Sequence, residues 1–293
     1  MARVVIADKL DAETVVELKM RYGSVVDQPS NLDKELSDAE ILVVRSRTQV
    51  TKDLLAKAPK LRVVARAGVG LDNIDLRECE RRGIKVVNTP DASTIAVAEL
   101  AVGLMISLLR RIPRADSTMK QKRWEKESLL GRELHGKTVG IIGFGRVGAA
   151  VAERLRSFGC KIIACSPHFK GTDWVESVSL EELLKRSDIV TLHAPLNEKT
   201  RGMIGKQQIE MMKPSAILVN TARGALVDEE ALYEALKKGR ISGAALDVYT
   251  SEPYSGKLCE LENVVLTPHL GGNTVEGQER IGKQLIEELE KIG

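Results

Sequence analysis

Short apolar runs alternate along the chain with longer stretches whose apolar residues recur at helical spacing. In the first third, Val4–Ala7, Ile41–Val44, Arg62–Ala65 and Lys85–Asn88 read as strands. Asp11–Tyr22, closed by Gly23, Thr51–Ala58, stopped by Pro59, and Asp75–Arg82, closed by Gly83, read as the helices between them. Glycine just past a helix and proline beyond it are the expected stops. A longer helix is predicted from Thr94 to Arg110; it is apolar nearly all round, so it should be buried. A polar, basic stretch follows, Arg110 to Lys137, with few strand signals. The rhythm then resumes with Thr138–Ile142, Lys161–Cys165, Asp188–His193, Ala216–Asn220, Gly243–Val248 and Val264–Thr267. These runs alternate little, as strands covered on both faces must. Ser179-Leu-Glu-Glu182 has capping-box spacing, Asp228 is placed to cap a helix Glu229–Lys238 that Gly239 closes, and a last helix runs from about Thr274 to Lys291. The pattern predicts an α/β protein with two doubly wound parallel sheets, in units of roughly 1–97 and 98–270.

Composition narrows the class. A chain of 293 residues is too long for one ordinary core, and 43% apolar with 29% charged is ordinary globular content. Lys plus Arg is 44 against 41 for Asp plus Glu, a net charge of +3, which is too balanced for a nucleic-acid surface. The longest largely apolar run, Leu100 to Leu109, is ten residues, whereas a membrane helix needs about 20. The start of the chain lacks the apolar stretch of a signal peptide. Cys79, Cys160, Cys165 and Cys259 show no C-x-x-C spacing, so reduced thiols and a cytoplasmic location are expected, with no metal site.

Gly143-Phe-Gly145-Arg146-Val147-Gly148 matches G-x-G-x-x-G. The motif follows an apolar strand and opens a predicted helix, Val147–Phe158, that leads to the next strand, which is the context it requires. The first glycine permits a tight turn, the second lets backbone approach a pyrophosphate, and the third lets helix and strand pack closely. The helix N-terminus offers N–H groups to the anion, and Arg146 can add a charged hydrogen bond. About 20 residues further on, such sites usually carry an acid for the adenine ribose. Ser166 stands there instead, followed by His168 and Lys170. Serine can bond a ribose hydroxyl, but it removes a charge that would repel a 2′-phosphate. NAD is the expected cofactor, with NADP left open.

Ligands of open parallel sheets bind beyond the carboxyl ends of the strands. In the second unit those ends are His193-Ala194-Pro195, Thr221-Ala222-Arg223-Gly224, Asp247 through Glu252-Pro253, and Pro268-His269-Leu270-Gly271-Gly272. A 2-hydroxy acid needs such groups. A histidine can take the hydroxyl proton near neutral pH, an adjacent carboxylate favours the imidazolium, and a guanidinium fork holds the substrate carboxylate. His269, Glu252 and Arg223 fill these roles, and Asp247 is placed to accept from a nicotinamide carboxamide. Each has a plainer reading as a polar loop residue, a solvated turn residue or a surface charge; the strand-end rule weighs against it. His193, followed at once by Pro195, reads as structural or adenosine-adjacent.

With these residues laid out, the chain resembles the D-isomer-specific 2-hydroxyacid dehydrogenases over nearly its whole length. The resemblance rests on Val139–Gly148, Asn220–Gly224, Ala245-Leu-Asp-Val248 with Glu252-Pro253, Thr267–Gly272, Arg66–Asn73, and Asn88-Thr-Pro90 through Val97-Ala-Glu-Leu100. It implies a Rossmann dinucleotide-binding domain inserted into a flavodoxin-like substrate domain, with 271–293 folding back onto the latter. Arg223, Glu252 and His269 are its catalytic positions. Gly143, Gly145, Arg146, Val147, Gly148, Ser166, Ala194, Pro195, Thr221, Ala222, Asp247, Gly271 and Gly272 fall on its cofactor positions. Arg45, Ser46 and Arg47 fall beside a substrate phosphate or carboxylate, and Val69 and Gly70 on backbone N–H groups facing the carboxylate. Val44-Arg-Ser-Arg-Thr48 and Trp124-Glu-Lys126 are most similar to the branch that oxidises 3-phospho-D-glycerate with NAD at the head of serine biosynthesis. Glyoxylate or hydroxypyruvate reduction is the alternative, and an NAD-sensing corepressor a more distant one. Members are usually homodimers, with the segment before the glycine turn crossing to the partner; here that is Arg110 to Lys137, with Lys126 directed at the partner's site. Many phosphoglycerate-oxidising members carry a serine-binding C-terminal domain; with Gly293 the last residue, serine feedback through such a domain is not expected. The expected partners are a small-molecule substrate and a second copy of the chain, with no nucleic acid and no membrane.

Overall fold

The computed structural model describes residues 2–292. The chain divides into two units, one formed by the residues up to Thr94 together with the chain from Gly272 onward, the other by Ile95–Gly271. The second unit is therefore inserted in the first. The first holds β1 (Arg3–Ile6), β2 (Ser24–Asp27), β3 (Ile41–Val44), β4 (Val63–Arg66) and β5 (Lys85–Asn88), all parallel, in the order β2-β1-β3-β4-β5. That is the flavodoxin-like doubly wound order.

Successive strand side chains point to opposite faces, and the core follows that alternation. Val4, Ile6 and Val43 pack with Leu18, Ile281 and Leu285 on one face, while Val5, Leu42 and Val44 pack with Leu36, Leu55 and Cys79 on the other. Fully burying each large apolar side chain contributes about 1.5–3 kcal/mol. Asp11 caps the helix Ala12–Tyr22 by accepting from the Thr14 N–H at 2.9 Å, and Thr274 caps Val275–Glu290 by accepting from Gly277 N–H at 2.9 Å. The two helices pack closely at Gly282, where a Cβ would fall 1.7 Å from Thr14 Oγ1.

The second unit holds β6 (Thr138–Ile142), β7 (Lys161–Cys165), β8 (Val175–Ser177), β9 (Ile189–Leu192), β10 (Ile217–Asn220), β11 (Gly243–Leu246) and β12 (Val264–Leu266). The sheet is parallel throughout, in the order β12-β11-β10-β9-β6-β7-β8. The chain steps outward from β6 to β8, then returns to β9 on the other side of β6 and steps outward again. The topological switch point thus lies between β6 and β9. Ile142, Val190, Leu192 and Leu218 pack with Leu183, Ile209 and Leu232 on one face; Val139, Ile141, Ile189 and Val219 pack with Val151, Leu155 and Met105 on the other. Met105 belongs to the long apolar helix Thr94–Leu109, which adds Ala98, Ala101, Val102, Leu104 and Leu109 to that second core.

The structure adds elements that periodicity did not reveal. β2 and β8 are edge strands, with no fully buried residue in β2 and only Val175 buried in β8. The polar stretch after Arg110 contains the helix Ile112–Lys120, entered through Arg111 at φ 53°, and a short turn of helix at Lys126–Leu129. Leu32–Leu36 and Lys206–Met211 are further short helices.

Candidate active site

The glycine turn separates what the protein needs from what it leaves open. Gly143 sits at φ 90°, and a Cβ there would fall 2.5 Å from the backbone nitrogen of Ala194 at the exit of β9. At Gly148 a Cβ would fall 2.2 Å from the Gly143 carbonyl oxygen. Gly143 is therefore demanded by packing against the β9 exit and Gly148 by packing within the turn. A Cβ on Gly145 meets nothing within 4 Å among the described residues. Gly145 also begins the helix Arg146–Ser157 without a side-chain cap, and the positive end of that helix's dipole favours an anion there. A dinucleotide pyrophosphate fits this open, uncapped turn, with Arg146 and Val147 the first residues beyond it.

His193 follows β9. Its Nε2 lies 2.9 Å from the Thr191 hydroxyl, while Nδ1 is buried with no hydrogen-bond partner among the described residues. Desolvation pulls its pKa down to about 3, so the ring is neutral at physiological pH. Ala194 is buried and Pro195 exposed on the same exit. Thr221, at the end of β10, has a buried hydroxyl without a hydrogen-bond partner among the described residues, and Ala222 N–H donates to Asn220 Oδ1 at 3.0 Å. Ser166 follows β7 and is half-buried.

Three strand exits on one side of the switch point bring the chemical groups together. Glu252, in the loop after β11, places Oε2 2.7 Å from Nδ1 of His269, in the loop after β12. Glu252 Oε1 also accepts from Tyr249 N–H at 3.2 Å. Burial would raise the Glu252 pKa, but the hydrogen bond and charge of His269, the Tyr249 N–H and the positive charge of Arg223 outweigh it and hold the carboxyl below its usual range. Arg223, after β10, is close enough to act on Glu252 electrostatically. Gly224 draws its loop against the β11 exit, since a Cβ there would fall 1.9 Å from the Tyr249 carbonyl carbon.

Asp247 is the residue read from the sequence as an acceptor from the nicotinamide carboxamide. It is fully buried, and its carboxylate is taken up by the loop that carries His269. Oδ1 accepts from the Thr267 hydroxyl at 2.6 Å and Leu270 N–H at 2.7 Å, and Oδ2 accepts from Gly271 N–H at 2.8 Å. Burial pushes its pKa up against these three hydrogen bonds. His269 itself sits at φ 53°, a left-handed conformation that costs a non-glycine residue of order 1 kcal/mol or more and so needs bracing. Tyr249, which sequence reasoning passed over, ties the same exits: its hydroxyl donates to carbonyls of Leu246 at 3.1 Å and Thr267 at 2.9 Å, sharing one proton between them. Gly271 lies at the end of this loop, and Gly272 begins the return to the first unit.

In the first unit, Arg45, Ser46 and Arg47 leave β3, and Val69 and Gly70 follow β4. Asp8, also missed from sequence, organises the first loop. Its buried carboxylate accepts from the N–H of Arg45 at 2.7 Å, the N–H and hydroxyl of Thr48 at 3.1 and 2.7 Å, and Nε of Arg47 at 3.3 Å. Burial would raise its pKa, yet these donors and the Arg47 charge hold it below the ordinary value. Asn73 Nδ2 donates to the carbonyls of Arg45 and Thr48 at 2.8 and 2.6 Å, and Asn88 Nδ2 to that of Val69 at 2.6 Å. An acid directly after an apolar strand was the available signal for Asp8. Among the described residues no group of three His, Cys, Asp or Glu could hold a metal ion, and no helix is long and apolar enough to cross a membrane.

A parallel sheet with an open glycine turn at its switch point and an imidazole–carboxylate pair on the same edge defines a Rossmann-type dinucleotide-binding protein. Residues 102–271 match the model of the D-isomer specific 2-hydroxyacid dehydrogenase NAD binding domain, and the chain belongs to that family. It is 45% identical to a D-3-phosphoglycerate dehydrogenase of Methanocaldococcus jannaschii, covering 100% of this chain and 57% of that protein. It is 46% identical to a hydroxypyruvate reductase of Thermotoga maritima, covering 99% and 97%. Among solved structures it is similar to D-lactate dehydrogenase from Aquifex aeolicus in complex with NAD and lactic acid, with a TM-score of 0.88, 31% identity, and 99% and 94% of the two chains covered. The chain thus spans little more than half the length of several curated relatives it matches.

Proposed function

We propose that this chain oxidises 3-phospho-D-glycerate to 3-phosphohydroxypyruvate with NAD, removing a hydride from C2 as the first step of serine biosynthesis. The observation that carries the reading is the 2.7 Å pair of His269 and Glu252 on the carboxyl edge of the sheet that bears the glycine turn. With Nδ1–H donating to the carboxylate, Nε2 is left as the basic nitrogen, free to take the proton of a 2-hydroxyl. The Glu252 charge stabilises the imidazolium so formed. Arg223 holds the substrate carboxylate through its planar fork. The nicotinamide ring of a bound dinucleotide supplies the hydride acceptor. Gly143, Gly145, Arg146, Val147 and Gly148 take the pyrophosphate and Ser166 the adenine ribose. Ala194, Pro195, Thr221, Ala222 and Gly271–Gly272 line the remainder of the dinucleotide. Arg45, Ser46, Arg47, Val69 and Gly70 bind the substrate's anionic ends. The Asp8-braced arginine loop supports a phosphorylated substrate, as does the M. jannaschii relative's name.

Reduction of hydroxypyruvate or glyoxylate is the second reading, favoured by the T. maritima relative of nearly equal length. Initial rates of NADH formation with phosphoglycerate, glycerate and lactate, and of NADH consumption with hydroxypyruvate and glyoxylate, separate the two. The first reading expects kcat/KM for phosphoglycerate at least about tenfold above that for glycerate, a difference of roughly 1.4 kcal/mol. Equal or higher efficiency without the phosphate selects the second. We also infer a homodimer through the 110–137 segment, which exposes Ile112, Met119, Trp124 and, at 84%, Leu130. A monomer by sedimentation at micromolar concentration contradicts it.

A further inference from the structure

In a doubly wound dinucleotide site, the side chain just past the second strand reads the 2′ position of the adenine ribose. A carboxylate accepts from a 2′-hydroxyl and repels a 2′-phosphate, whereas a nearby cation accommodates the phosphate. Here that strand is β7, which ends at Cys165, and Ser166 comes next. The serine carbonyl accepts from Phe169 N–H at 3.2 Å, closing a turn. The Phe169 ring lies against Phe144 of the glycine turn, with centroids 4.0 Å apart. This aromatic contact packs the 166–170 turn against the glycine turn, and His168 and Lys170 on that turn are exposed. Gly143–Gly148 contains no acid, and the first acid after Cys165 is Asp173, seven residues beyond Ser166. Lys170 makes no ion pair among the described residues. The carboxylate on the neighbouring strand, Glu176, is neutralised by two nitrogens of Arg186 at 2.9 and 2.6 Å.

We propose that this subsite does not select against a 2′-phosphate, so that the protein binds the 2′-phosphorylated dinucleotide about as tightly as the unphosphorylated one. Ser166 offers a small neutral hydrogen-bonding group, Lys170 and Arg146 supply the positive surround, and His168 adds a further hydrogen-bonding group. The inference rests on the dinucleotide reading of the glycine turn but not on the identity of the hydroxy acid.

The test is equilibrium binding of NADH and NADPH to the purified protein without substrate, followed by nicotinamide fluorescence. The two Kd values are expected to lie within about tenfold of each other, or roughly 1.4 kcal/mol. NADH binding more than tenfold tighter overturns the inference while leaving the dehydrogenase reading intact; failure to bind either dinucleotide overturns both. Ser166→Asp restores the repelling charge and is expected to weaken NADPH at least about tenfold while NADH holds or tightens. Lys170→Ala, at an exposed position, is expected to weaken NADPH alone and to flatten its salt dependence. Unchanged NADPH binding in both variants overturns the proposal.

Discussion

Asp247→Asn tests whether the loop bearing His269 is held by a buried carboxylate. In the native protein three donors converge on Asp247: the Thr267 hydroxyl and the backbone N–H groups of Leu270 and Gly271. Asparagine keeps the volume and one acceptor oxygen. If that oxygen faces Thr267 and Leu270, the new amide NH2 opposes Gly271 N–H, donor against donor. One buried donor left unsatisfied costs about 1–3 kcal/mol. For a unit of this size that is a loss of about 2–12 °C in Tm, at roughly 2–4 °C per kcal/mol. The loop also loses its grip on a left-handed histidine, and a displacement of about 1 Å at a catalytic group costs about 10²-fold in rate. Scanning calorimetry and steady-state kinetics on the same preparation read both effects. The brace predicts a lowered Tm and a lowered kcat, with the Kd for NADH within a factor of about three, since less than about 0.7 kcal/mol of binding is at stake. An unchanged Tm with NADH binding lost makes Asp247 a cofactor contact alone and refutes the brace.

Two substitutions in the glycine turn should separate folding from binding. Gly145→Ala is expected to keep Tm within about 2 °C and to weaken NADH binding at least tenfold, whereas Gly148→Ala, forced against the Gly143 carbonyl, should lose about 1–3 kcal/mol of stability. Equal Tm values for the two variants in thermal unfolding contradict the assignment. Asp8 titrates below its ordinary value in the folded state, so its contribution is present above the unfolded pKa of about 3.9 and fades as pH falls through the lower folded pKa. Urea unfolding between pH 7 and pH 2 should therefore show Asp8→Asn less stable at neutral pH, with the gap closing at the acid end; a constant gap contradicts the linkage. Arg45→Ala should raise KM for phosphoglycerate at least tenfold while changing KM for glycerate by less than a factor of about three. Parallel rises for the two substrates remove the phosphate-binding role.

The parts of the fold readable in sequence are those whose environment is uniform. β3 and β9 are buried at every position, so their apolar runs announce themselves. β2 and β8 lie at sheet edges and bury too little to leave such a run. The helix Ile112–Lys120 was illegible because its polar residues dominate and its start, at left-handed Arg111, carries no capping side chain. His269, Glu252 and Arg223 could be singled out because strand ends are where such sheets do chemistry, and the structure brings the first two into hydrogen-bonding contact. The work of Asp247 was hidden, since its partners stand twenty or more residues away in sequence and two of the three are backbone groups. Asp8 was hidden for the same reason: it meets Arg45, Arg47 and Thr48 only after β1 and β3 pair.

The central claim is that His269, paired with Glu252, moves the hydroxyl proton. Kinetics and NADH binding of His269→Ala, measured together, test it most directly. The account predicts a kcat reduced about 10²–10⁴-fold, the ordinary contribution of a positioned acid–base group, with the Kd for NADH within about threefold of the native value. Turnover near the native rate, or turnover lost only because NADH no longer binds, would contradict it.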